Sequence, residues 1–195
     1  MPTKAQMAHF RATAPKYMRL LMADFGLSAW DVAAVFGNAG HESKGLTDDQ
    51  EDKPVVPGSR GGANWMQWTG PRRRELEDYC KRNKLDPNSD EAAYKFLFVE
   101  LKGPENKAIR ALKKATTLKE KVIAFEVAFL RAGVKHYDRR LEWAEIALDA
   151  LGEAPAPVPA PTTPAEPSEP ASEAKNWLSV IIELVVGLFA RLWKR

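Results

Sequence analysis

The 195 residues carry 29 Lys and Arg against 26 Asp and Glu, a formal net charge of +3, and a single cysteine. So mild a positive excess lacks the dense basic face of nucleic-acid binders, and no nucleic-acid partner is expected. One cysteine excludes an intramolecular disulfide, and the length suffices for one main core with something smaller beside it.

Residues 4–25 place Met7, Phe10, Tyr17, Met18, Leu20, Leu21 and Phe25 at helical spacing, with Pro15 marking a break that would make two short helices. Gly26 ends the segment, and Ser28-Ala29-Trp30-Asp31 reads as a capping box opening a helix through Val32, Ala33, Val35 and Phe36. At Gly37-Asn38-Ala39-Gly40 the side chains become small enough for neighbouring backbone or a ligand to approach. Arg11, Lys16, Arg19 and Asp24 interrupt any continuous apolar core in residues 1–28, so no N-terminal signal peptide is expected and the chain should accumulate in the cytoplasm.

Residues 47–52 are polar and acidic; residues 53–68 combine Val55-Val56, a Pro-Gly-Ser-Arg-Gly-Gly turn and two tryptophans, a β-hairpin signal. Thr69-Gly70-Pro71 opens a helix, and apolar periodicity predicts helices over 71–82, 89–101, 104–115, 118–132 and 137–151. The expected fold class is therefore mainly α, a helical bundle with one small β-hairpin lobe, filling residues 1–152.

Residues 153–172 are almost entirely Pro, Ala, Glu, Ser and Thr, a composition that cannot bury enough apolar surface to repay its ordering, and they read as an extended linker. Residues 173–195 form a separate apolar tail in which Trp177 and Trp193 bracket the run and Lys194-Arg195 follow it. As a helix, the bracketed run reaches roughly 24 Å against a hydrocarbon core of roughly 30 Å. Residues 176–195 are expected to associate with a bacterial membrane by spanning it or by lying in its interface, with an oligomerising helix as the third reading.

The sequences Gly37-Asn38-Ala39-Gly40-His41-Glu42-Ser43, Gln50-Glu51, and Gly58-Ser59-Arg60-Gly61-Gly62 running into Gln67-Trp68-Thr69-Gly70-Pro71-Arg72-Arg73 resemble the phage tail-lysozyme and endolysin family of the lysozyme superfamily. The resemblance implies an α+β lysozyme-like fold and hydrolysis of the β-1,4 bond between N-acetylmuramic acid and N-acetylglucosamine in peptidoglycan. It also implies that Glu42 is the acid, Glu51 its partner carboxylate, and Gln67 and Thr69 polar groups facing the substrate.

The residue types fit that chemistry. Glycoside hydrolysis needs a carboxylic acid that hands a proton to the leaving oxygen, and Glu42 follows an apolar helix where Trp65 or Trp68 could lie beside it and desolvate it. One of Glu51, Asp52, Asp48 and Asp49 would stabilise the oxocarbenium-like charge or position water on the opposite sugar face, and the Thr69 hydroxyl would orient water. In a strand, Trp65, Gln67 and Thr69 would share one face, making Trp65 a sugar-stacking platform and sending Trp68 into the core. His41 joins the substrate-facing groups through hydrogen bonding rather than metal ligation, since no second His or Cys stands near it in sequence. No metal or cofactor is required. The alternatives are a lytic transglycosylase, which works with one Glu, and a non-catalytic wall-binding module of a virion.

Overall fold

The structure is a computed structural model, and it describes residues 2–48, 50–51 and 59–152. The chain divides into two units, Met1–Pro157 and Val158–Arg195. The expected linker and apolar tail lie outside the described residues, as do Asp49 and Asp52.

The first unit is helical: α1 (Lys4–Phe25), α2 (Ala29–Glu42), α3 (Gly70–Asn83), α4 (Asp90–Lys102), α5 (Asn106–Lys114), α6 (Leu118–Phe125), a π-helical turn (Glu126–Leu130) and α7 (Tyr137–Leu151). Pro15 does not divide α1. Proline removes one rung of the backbone ladder, but Phe10 and Ala14 before it and Tyr17, Met18 and Leu21 after it are buried on one continuous face. Burying each large apolar side chain contributes roughly 1.5–3 kcal/mol, comparable with what the lost rung costs. Thr3 and Gln6 form a capping box at the start, and Gly26 closes the helix in the left-handed region at φ 58°.

The bundle is built around α2. Ser28 and Asp31 cap it reciprocally as the sequence predicts, and every residue from Asp31 to Gly40 is buried. The helix runs straight through the small-residue stretch instead of ending there, because α7 lies against it. A Cβ on Gly37 would stand 2.6 Å from both the Ala144 Cβ and the Arg140 carbonyl oxygen, and one on Gly40 would stand 2.9 Å from Phe10. The glycines thus set how near α7 comes. This approach carries the buried face of α7, Arg140, Trp143, Ala144, Ala147 and Leu148, onto the last turns of α2.

No strand beyond isolated bridges occurs among the described residues; Ala63 pairs singly with Gln50 and with Trp68. The expected alternation over 65–69 is replaced by a turn, in which the Trp68 N–H donates to the Ala63 carbonyl at 2.9 Å and the Gln67 N–H to the Asn64 carbonyl at 2.9 Å. Asn64 and Gln67 adopt positive φ, 55° and 48°, which strand geometry forbids. Both tryptophans consequently point into protein, Trp65 at 2% and Trp68 at 1% exposure. Trp68 donates its Nε1–H to Glu100 at 2.7 Å, and Arg72 binds the same carboxylate at 2.7 and 2.8 Å, tying this turn to α4.

Candidate active site

A cleft of about 880 Å³ opens where α2 ends. Its walls come from three stretches: His41, Glu42 and Lys44 at the end of α2; Asp48, Glu51, Gln67 and Thr69 before α3; and Ala132, Gly133, Val134 and His136 with Arg140 in the first turn of α7. The structure thus brings together six of the sequence-predicted residues: Glu42, Glu51, Asp48, Thr69, Gln67 and His41.

Glu42 is the final residue of α2, with its side chain 21% exposed. Neither tryptophan lies among the residues lining the cleft around it. Its neighbour is instead the Arg140 guanidinium, whose Nη2 stands 2.7 Å from Glu42 Oε1. The guanidinium is fixed from its other sides: Nη1 donates to Asn38 Oδ1 at 3.2 Å and Nε to the Lys135 carbonyl at 2.8 Å. Asn38 is itself held by bonds from its amide to the carbonyls of Ala34 and Val122 at 2.9 and 3.1 Å. The acid candidate therefore faces a cation with almost no freedom to move.

Glu51 is tethered twice to Gly62, its backbone N–H donating to the Gly62 carbonyl at 2.9 Å and its Oε2 accepting from the Gly62 N–H at 2.8 Å. A Cβ on Gly62 would lie 2.4 Å from Gln67 Oε1, so only glycine allows this wall to close. Arg73 stitches the segment together, binding Gln50 Oε1 at 2.7 Å and the Arg60 carbonyl at 2.6 Å. Arg72 and Arg73 thus spend their guanidinium groups on bonds within the protein.

Gln67 lines the cleft, yet its amide N–H groups are committed to the carbonyls of Asp48 and Asn64 at 3.1 and 3.0 Å. Thr69 holds the N-cap position of α3 without using its hydroxyl as a cap, and the residue is exposed in the cleft. Trp65 departs from expectation. It packs edge-on against Tyr17 and Phe36 and donates its Nε1–H to Asp90 at 3.0 Å, so it is a core residue whose edge borders a separate cavity of about 590 Å³, not a sugar platform in the cleft.

His41 lies half-buried, its ring centroid 5.4 Å from that of His136. Burial first, then the positive charges of Arg140, His136 and Arg139, pull it down from 6.5 to about 4, so at neutral pH it is an uncharged imidazole. Lys44 pairs with Asp48 at 2.7 Å across the cleft rim.

Arg140 and His136 escape the sequence reading. A signal for Arg140 exists: it falls three and four residues before Trp143 and Ala144, on the register that α7 buries, and a base on a buried face demands a partner. His136 carries no comparable signal, since only the fold brings it to the cleft.

Among family models, one described as phage tail lysozyme matches residues 12–151. No curated protein and no solved structure matches the chain.

Proposed function

We propose, from the premise that this chain belongs to the phage tail lysozyme family and is a peptidoglycan-lytic, lysozyme-like protein, that it is a muramidase with Glu42 as its acid. The reaction is hydrolysis of the β-1,4 bond between N-acetylmuramic acid and N-acetylglucosamine. The observation that carries this reading is the pair of carboxylates on opposing stretches of one cleft, Glu42 ending a rigid helix and Glu51 clamped to Gly62.

Glu42 passes a proton to the glycosidic oxygen as the bond from that oxygen to C1 of the muramic sugar breaks. Glu51 supplies the negative charge that supports the oxocarbenium-like carbon. A water adds to C1 with the Thr69 hydroxyl as its hydrogen-bond partner, and its proton goes to a carboxylate. Gln67 supports the wall, and neutral His41 offers a donor and an acceptor to the sugar. Arg140 orients Glu42 in the resting cleft.

Digestion of purified peptidoglycan tests this reading. Wild type should release fragments ending in reducing muramic acid, and Glu42→Gln should lower the rate by more than about 100-fold, as loss of a general acid does. Anhydromuramic ends would assign a lytic transglycosylase instead, and equal lysis by both proteins would remove Glu42 from the acid role. A wild type that binds wall without cutting it would leave the virion binding module.

Residues 176–195 give the second half of the proposal. The protein is held in the host cytoplasm until lysis, and its apolar tail then brings the enzyme to a bacterial membrane, supported by the Trp177 and Trp193 bracket and the terminal Lys194-Arg195. The full chain should partition onto anionic vesicles, and a chain ending at Gly152 should not. Identical partitioning refutes it.

A further inference from the structure

Glu126 has no exposed surface and does not line the cleft, yet it binds the segment that carries Ala132, Gly133, Val134 and His136 into the cleft wall. It opens the π turn where α6 ends, and its carboxylate gathers the chain that follows. Oε1 accepts from the Ala132 N–H at 2.7 Å, Lys135 Nζ stands 3.1 and 3.2 Å from the two oxygens, and the Tyr137 hydroxyl donates to Oε2 at 3.1 Å. The Glu126 carbonyl takes the Arg131 N–H at 2.7 Å, so both polar ends of this residue fold the segment back on itself.

An apolar side chain would fill that space without burying a charge, so the carboxylate needs a reason. The reason lies in what Lys135 does with its backbone. Its carbonyl accepts Arg140 Nε at 2.8 Å, and Arg140 Nη2 meets Glu42 at 2.7 Å. Lys135 therefore links Glu126, held by its ammonium, to Arg140, held by its carbonyl, and Arg140 meets the proposed acid. Glu126 also fixes the backbone on which Val134, 66% exposed, and His136 face the cleft.

We propose that Glu126 is a positioning residue for the reaction. By anchoring Lys135 it sets the carbonyl that orients Arg140, and through Arg140 it sets the direction of the Glu42 carboxyl. The inference rests on Glu42 being the acid.

Steady-state turnover of soluble glycan fragments by the full chain tests it. In Glu126→Gln the amide oxygen still accepts from Ala132, while the Lys135 ammonium loses its counter-charge. The expected result is a kcat lower by about tenfold with KM within about twofold, since a misplacement of about 1 Å at a catalytic group costs up to about 100-fold. In Arg140→Lys, which keeps the charge but has already lost the Nε link, adding Glu126→Gln should lower kcat by less than about twofold. Lys135→Met changes a half-exposed side chain and leaves the Ala132 N–H and the Tyr137 hydroxyl on Glu126; measured on protein with native circular dichroism, it should lower kcat in the same direction with the same non-additivity. Equal losses in both backgrounds, an unchanged kcat in Glu126→Gln and Lys135→Met, or a rise in KM alone would overturn the inference while an active wild type keeps the function. A wild type that turns over no glycan would overturn both.

Discussion

Gly37→Ala places a methyl group where α7 already stands. Its Cβ would lie 2.6 Å from both the Ala144 Cβ and the Arg140 carbonyl oxygen, whereas unstrained contacts of this kind sit at about 3.5 Å or more, so the helices must part by about 1 Å. Two effects oppose each other. Alanine is better than glycine in a helix interior by about 1 kcal/mol. Overpacking costs about 1–3 kcal/mol, and here it takes the higher part of that range because one obstacle is backbone. The expected balance is a loss of about 1–2 kcal/mol, which for a chain of this size lowers Tm by about 2–8 °C. Thermal unfolding of wild type, Gly37→Ala, Ala144→Gly and the double variant measures it. Ala144→Gly removes one of the two obstacles, so the double variant should be more stable than the sum of its parts predicts. A Gly37→Ala protein melting at or above wild type would mean that helix propensity prevails and that α2 and α7 do not cross as tightly as described.

Lys121 donates to Asp31 Oδ1 at 2.6 Å and to the Leu112 carbonyl at 2.9 Å, with both side chains at most 10% exposed. Burial raises the Asp31 carboxyl, but hydrogen bonds from Lys121 and Ser28 bring it below its ordinary value. Lys121→Met should therefore cost about 3–5 kcal/mol by leaving a buried carboxylate half-satisfied, seen as a lower urea midpoint at unchanged m; an unshifted midpoint would contradict this. Gly62→Ala should push Gln67 out of the wall and unseat Glu51, lowering wall lysis at least about tenfold while Tm moves by only a few degrees; undiminished lysis would show that the wall tolerates the methyl. His41 binds its proton only near pH 4 when folded but near 6.5 when unfolded, so the unfolded chain holds more protons between those values and stability falls as pH is lowered through that window. With half-burial taken into account, the slope should be about 1 kcal/mol per pH unit or less, and His41→Asn should flatten it in denaturant titrations at pH 4.5 to 6.5.

Helix positions and the place of Glu42 at the end of α2 were legible because they depend on local rules. Ser28 and Asp31 cap α2 as their spacing requires, and Pro71 starts α3. What misled was tertiary. Trp65, Gln67 and Thr69 alternate in sequence, but two left-handed residues turn the chain, and the aromatic pocket of Tyr17 and Phe36 claims Trp65. Pro15 looked like a break because its cost is visible in sequence, while the continuous buried face that outweighs it is not. Arg140 lies about 100 residues beyond Glu42, and only the closeness of α7 to Gly37 and Gly40 makes them partners.

Arg140 is 1% exposed and binds Asn38, Lys135 and Glu42 together. Evolution cannot vary such a residue for one purpose at a time. A substitution of Arg140 that changes the surroundings of Glu42 also opens the centre of the bundle, so folding alone demands the charge beside Glu42. On the other wall of the cleft, Thr69 is exposed and Glu51 and Gln67 are half-buried and bonded within their own stretch, so these side chains can vary with less effect on the bundle. Differences between related proteins should therefore gather along that wall, while the Glu42 side of the cleft stays constrained by the requirement to fold.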